Sequence, residues 1–289
     1  MRIFSAEDRL NIVYEGPPTV VGGSSVPGDR FCLAGDRLKQ AQEGVELARG
    51  LSGILRQNVE YRYDTSANQP GSTFIDYVGN RRIFQGSINV FGDSPGEFRS
   101  VWRRWIKSHP YDREGKLWFY TSDAPDRYAF VRPSAEAGMS SLDIDPNIFS
   151  KFTDLEWGWE SDYPYLFGNI QRVDFDEQGV AEFMNESDVR DVYPKIYLPG
   201  PGRYIMNGIT TPTLSADEVI RFNFDPMRET YVKRNVKTGA VTNLWYTLVG
   251  KRPKMVLTPG SNRVQITPPA IGVKSGAYVE YTPLFQGAM

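Results

Sequence analysis

The sequence predicts a mainly β protein: an α+β first half with one amphipathic helix laid on a β-sheet, then a β-sandwich. Three observations predict it. An alternating strand runs directly into a capped helix between Arg81 and Lys107. Two further alternating runs, Lys116 to Thr121 and Phe152 to Trp159, follow that helix. Beyond Gly168 the chain breaks into short β-rich runs at regular spacing, the pattern of a sandwich. The 16 Tyr, 16 Phe, 20 Pro and 27 Gly suit short strands and tight turns, and 289 residues suit two domains.

Val13 to Val21 reads as a strand interrupted by Pro17-Pro18, and Gly22 to Gly28 as a turn region. Asp36 to Leu55 has two readings. Leu38, Ala41, Val45, Ala48 and Leu55 recur with helical spacing, yet Gly44, Gly50 and Gly53 would each cost a helix roughly 1 kcal/mol. A short strand at Val45-Glu46-Leu47-Ala48 is preferred. Val59 to Tyr63 is a strand, and Ser66 to Ser72 a polar loop before the Arg81 strand. In that strand Phe84, Ile88 and Val90 share one face and Gln85, Ser87 and Asn89 the other.

Ser94-Pro95-Gly96-Glu97 forms a capping box with proline at the first helical position. Phe98, Val101, Trp102, Trp105 and Ile106 then make a buried stripe, leaving Arg99, Arg103, Arg104 and Lys107 in solvent. Lys116 to Thr121 pairs with Tyr128 to Arg132 across Asp123-Ala124-Pro125-Asp126, Ser134 to Phe149 is looser, and Phe152 to Trp159 is a strong strand. The boundary falls near residues 168–172, giving domains 1–169 and 170–289. In the second, strands are expected at Ile196 to Leu198, Ile220 to Phe224, Tyr231 to Asn235, Leu244 to Leu248, Lys254 to Leu257, Arg263 to Thr267 and Ala277 to Tyr281.

Composition narrows the function. A net charge of -2 provides no global basic field for nucleic acid. No apolar run approaches a membrane span, the first residues lack a signal-peptide core, and the single Cys32 cannot form an intrachain disulfide. Catalysis is not expected. His109 is the sole histidine and has no nucleophile motif around it, so contact with the helix C-terminal dipole, or exposure, is expected. One Cys and one His cannot furnish a zinc site. Asp174 to Gly179 begins like a calcium loop, but Asn185 stands where its bidentate glutamate belongs, so a β-turn is expected. The acidic pairs Asp143/Asp145 and Glu156/Glu160 lack a motif fixing their separation and are expected in solvent. Gly200-Pro201-Gly202 is a turn, no phosphate-binding loop is present, and no metal or cofactor is expected.

The ordered set of motifs resembles the distal tail proteins (Dit family) of long, flexible-tailed bacteriophages, and looks most like minor tail proteins of mycobacteriophage-like actinobacteriophages. In the first half it rests on Gly44-Val45-Glu46-Leu47-Ala48, Gly71-Ser72, Arg81-Arg82-Ile83-Phe84 through Gly92, and the Trp102/Trp105 helix. Leu117 to Thr121, Asp145-Pro146-Asn147 and Asp162-Tyr163-Pro164-Tyr165 continue it. Later matches are Tyr193-Pro194-Lys195-Ile196, Gly200-Pro201-Gly202, Asn223 to Glu229, Trp245 and Pro259 to Val264.

This resemblance implies a structural, non-enzymatic virion protein at the tail tip, assembled in the host cytoplasm. The first domain would pack with its own copies into a ring, commonly six-fold, continuing the tail tube; the second would be a galectin-like sandwich meeting other tip proteins. Ring contacts are expected at Arg81, Arg82, Phe84, Arg99 and Arg103. Implied partners are the protein itself, the tail tube protein, other minor tail proteins and the tape measure protein. Membrane contact is not implied, and DNA would be met only in passing through a lumen with little net positive charge. The alternative is a carbohydrate- or receptor-binding module using Trp245, Arg252 and Asn262, although the second domain lacks the histidine of a galectin sugar site.

Overall fold

The computed structural model describes residues 10–35, 42–57, 59–65, 70–135, 152–245, 247, 254–269 and 276–289. Two compact units emerge: one holds residues 1–167 together with 286–289, the other residues 168–285. No helix among the described residues is long and apolar enough to cross a membrane.

The first unit contains β1 (Asn11–Glu15), β2 (Thr19–Val21), β3 (Ser24–Val26), β4 (Arg30–Ala34), β5 (Val45–Leu47), β6 (Val59–Asp64) and β7 (Thr73–Gly79). It continues with β8 (Arg82–Phe91), α1 (Pro95–Ser108), β9 (Gly115–Tyr120), β10 (Arg127–Pro133), β11 (Phe152–Ser161) and β12 (Leu166–Phe167). Its main sheet runs β4-β1-β9-β10-β11-β8-β5 through antiparallel pairs. Gln42, just ahead of β5, bridges in parallel to Phe31 of β4, and its backbone N–H donates to the Arg30 carbonyl. The two ends of the sheet thus meet, and the wall rolls round a core. Alternation drives this: Leu117 and Phe119 of β9, Phe84, Ile88 and Val90 of β8, and Leu155, Trp157 and Trp159 of β11 all turn inward.

Helix α1 begins as its sequence requires. Ser94 Oγ accepts from the Glu97 N–H at 3.2 Å, and the Glu97 carboxylate accepts from Asp93 N–H at 3.0 Å, one residue before the cap. A Cβ on Gly92 would lie 2.4 Å from the Phe98 nitrogen, so only glycine lets β8 turn this closely into the helix. The buried stripe is Phe98, Val101, Trp105 and Ser108. This is narrower than the expected stripe: Trp102 is only half-buried and Ile106 is 44% exposed. The reason is geometric, because positions three and seven residues on from Phe98 face the core, while those four and eight on slide to its edge.

Several expectations are replaced. β4 follows the Pro17-Pro18 turn and the β2–β3 hairpin, and β7 follows the polar loop as the partner of β6. The Ser134 to Phe149 segment, including Asp143 and Asp145, lies outside the described residues from position 136 onward. Residues 286–289, expected in the second domain, belong to the first unit. There the Arg127 guanidinium donates to the Gly287 carbonyl at 2.6 Å, Arg82 donates to Gln286 O at 2.8 Å, and Ala288 N–H donates to Ile54 O at 2.8 Å. A Cβ on Gly287 would sit 2.4 Å from Leu55 O, so the segment fits only because that residue has no side chain.

The second unit comprises β13 (Gln171–Asp174), β14 (Val180–Asn185), β15 (Lys195–Pro199), β16 (Ile205–Met206), β17 (Ile209–Thr210) and β18 (Glu218–Asn223). β19 (Thr230–Asn235), β20 (Val241–Asn243), β21 (Gly260–Gln265), β22 (Tyr278–Tyr281) and β23 (Leu284–Phe285) complete it. A six-stranded sheet runs β13-β22-β15-β18-β19-β20. The β14–β21 ribbon covers it, and Ala181, Val264 and Ile266 share one core with Ile196, Leu198, Ile220, Phe222, Tyr231 and Val279. The expected strand at Leu244 to Leu248 is displaced: β20 ends at Asn243, Leu244 enters the core and Trp245 begins a turn. Of Lys254 to Leu257, only Leu257 makes a bridge, to Val192.

Candidate functional site

The core beneath α1 fixes what the first unit can offer. His109 caps the helix and is only 5% exposed. Its ring stacks on Tyr14 at 3.9 Å between centroids and 10° between planes, with Trp105 and Trp157 against its other sides. Trp159 Nε1 donates to His109 Nε2 at 3.0 Å. An indole N–H can only donate, so Nε2 is the acceptor and the imidazole proton resides on Nδ1. From there it donates to the Trp105 carbonyl at 2.8 Å, while Tyr14 donates its hydroxyl to Ser108 O at 2.6 Å. Burial pushes the His109 pKa down to about 3, overcoming the opposing effect of the Trp105 hydrogen bond. The residue is neutral and structural, neither a charged partner for the helix dipole nor exposed.

Two of the five expected ring residues are interior to the protomer. Phe84 is fully buried against Phe119. Arg82 is 1% exposed and spreads its guanidinium over backbone carbonyls, Gly53 at 2.7 Å, Ile54 at 3.0 Å, Gln286 at 2.8 Å and Pro164 at 3.3 Å. An arginine in an alternating strand reads as a surface cation, but five donors in a planar fork suit a buried knot of carbonyls equally well. Its neighbour Arg81 does lie at the surface, 71% exposed and loosely paired with Glu160 and Asp162. Arg99 and Arg103 are exposed on α1.

The most conspicuous surface feature was only half anticipated in the sequence. β6 and β7 form a two-stranded ribbon, and among the described residues neither pairs with any other strand. Tyr61, Tyr63, Phe74, Ile75 and Tyr77 on it are each about half exposed or more. Tyr61, Tyr63 and Phe74 contact one another at 6.0–6.4 Å between ring centroids, forming an aromatic patch. A free hairpin of this kind is marginal in water and has two open backbone edges.

In the second unit two of the expected sugar-site residues, Trp245 and Asn262, are held by local contacts. Trp245 stacks on Tyr231 at 5.5 Å against the core. Asn262 spends its amide on its own turn, accepting from Thr258 N–H at 3.1 Å and donating to Thr258 O and Gly260 O. Arg252 lies outside the described residues. The Asp174 to Gly179 segment is a turn, in which Asp176 Oδ1 accepts from the Gln178 and Val180 amides while Asp174 pairs with Arg172.

No family model and no curated protein matches the sequence. Solved structures do. The chain superposes on SPP1 Dit, described as a paradigm of hub adsorption apparatus in phages infecting Gram-positive hosts, with a TM-score of 0.59 and 14% identity over 96% of this chain and 99% of that one. A chain of the phage P2 baseplate in its calcium-activated conformation matches with a TM-score of 0.52 and 11% identity over 95% and 98% of the respective chains. The strontium form of the p2 baseplate gives 0.51 at 11% identity. Both units of this protein therefore follow a fold also found in a phage hub protein and in a phage baseplate.

Proposed function

We propose that this chain is a structural distal tail protein of a bacteriophage, a hub that closes into a ring and joins the tail tube to the tip apparatus. The observation that carries this is the likeness to SPP1 Dit along 96% of the chain, spanning both units. The first unit would form the ring, commonly six-fold, and the second, as a galectin-like sandwich, would meet other minor tail proteins. The tube protein and the tape measure protein are the further partners, and the site of action is the virion tail tip. The main sheet has little free edge to share, since its ends meet at Phe31 and Gln42. The β6–β7 ribbon is the better candidate for strand pairing between copies, because its edges are open and its rings half exposed. Negative-stain microscopy of the purified chain should show annular particles, and gold-labelled antibody on virions should mark the end of the tail. Label along the whole tail or on the head, with monomeric protein at high concentration, would overturn the assignment.

A further inference from the structure

The first unit carries two oppositely charged faces with no ion-pair partners among the described residues. On α1, Arg99, Arg103 and Lys107 recur every four residues, are exposed, and form one row about 12 Å long. Like charges at this spacing oppose the helix, so an internal stability role does not account for them. The only carboxylate on α1, Glu97, is spent on the helix cap.

The second face is the outer surface of the β5–β8–β11 segment of the sheet. Registration places Glu46, Asn89 and Asp154 side by side across the three strands, with Glu156 next along β11 beside Ser87. Glu46, Asp154 and Glu156 are exposed, and Asn89 makes only a long contact of 3.4 Å to Glu46. Asp154 and Glu156 stand about 6.7 Å apart along the strand, close to the roughly 6 Å between successive members of the helix row.

These faces point away from each other. α1 buries Trp105 against Trp157, which faces the inner side of β11, whereas Asp154 and Glu156 alternate onto its outer side. Two complementary patches on opposite sides of one unit cannot neutralise each other within a protomer. They can between copies arranged head to tail, the heterologous contact that closes rings.

We propose that the Arg99/Arg103/Lys107 row of one copy docks on the Glu46/Asp154/Glu156 face of the next. This rests on the ring assembly proposed above and names its electrostatic contact. Sedimentation of the full chain tests it, using R99E/R103E, D154K/E156K and the four-substitution combination, each checked by circular dichroism for an unchanged fold. The parent oligomer should dissociate at least tenfold more readily at 1 M than at 0.1 M salt. Each charge reversal alone should abolish the oligomer, and the combination should restore it. Carbodiimide should link Lys107 to Asp154 or Glu156 between isotopically distinct copies. Reversal variants that assemble like the parent would overturn the contact while leaving the ring intact. So would variants that lose only retention on DNA, whereas loss of the annular particles from the parent chain itself would fail the ring.

Discussion

Beneath α1, Tyr14, Trp105, His109 and Trp159 are shielded from water and joined by ring contacts and hydrogen bonds. On β6–β7, Tyr61, Tyr63 and Phe74 touch one another, and with Tyr77 they stand about half exposed. The residue types are similar, but the surroundings differ. In the first region every large ring sits between a helix and a rolled sheet, so its burial stabilises the protomer. In the second no further strand pairs with the ribbon among the described residues, and the same apolar area is left at the surface. The contrast separates residues that hold the unit together from residues of the same kind left at the surface.

The sharpest way to break this contrast is to hollow out the buried side. Trp105→Ala should lower unfolding free energy by about 3–5 kcal/mol in urea titration. A loss below 1 kcal/mol would mean that α1 is not a packed lid. Arg82→Met should cost roughly 3 kcal/mol in the same assay, because it strips donors from buried carbonyls in three segments, 53–54, 164 and 286. A surface arginine would cost almost nothing.

Acid should act on the buried region next. His109 titrates near 6.5 when unfolded and near 3 when folded, so as pH falls the unfolded chain takes up the proton first. Stability present above pH 6.5 should therefore drain away towards pH 3 at about 1.4 kcal/mol per unit, reaching about 2 kcal/mol by pH 5. His109→Gln should flatten that part of the profile; an unchanged slope would show the imidazole is not held neutral. The smallest effect on stability belongs to the ribbon. Tyr61→Ser with Tyr77→Ser should alter unfolding by no more than about 0.5 kcal/mol while weakening oligomers in sedimentation. A large thermal destabilisation without any change in association would erase the distinction between the two regions.

Much of the architecture was legible from residue patterns, because local rules and tertiary context agreed there. The Ser94 to Glu97 cap, the β8 alternation and the β9–β10 hairpin each carry their own signal within a few residues. β7 carries no such signal because both faces of the ribbon are exposed, which removes the polar–apolar contrast that marks a strand. Arg82 and His109 are not legible locally because their partners come from remote segments: Gln286 lies 204 residues from Arg82, and Trp159 lies 50 from His109. Neither residue's immediate neighbours disclose that a carbonyl or an indole will be waiting. The charges of α1 were visible at once, but their counterpart became apparent only when strand register aligned Glu46 with Asp154.

The clamping of Gln286 to Met289 by Arg82 and Arg127 also sets a schedule for biosynthesis. Residues 168–285 must leave the ribosome before the first unit receives its last segment. At typical translation rates that interval is on the order of ten seconds. During it Arg82 and Arg127 lack those acceptors, so a nascent subunit is held short of its finished form.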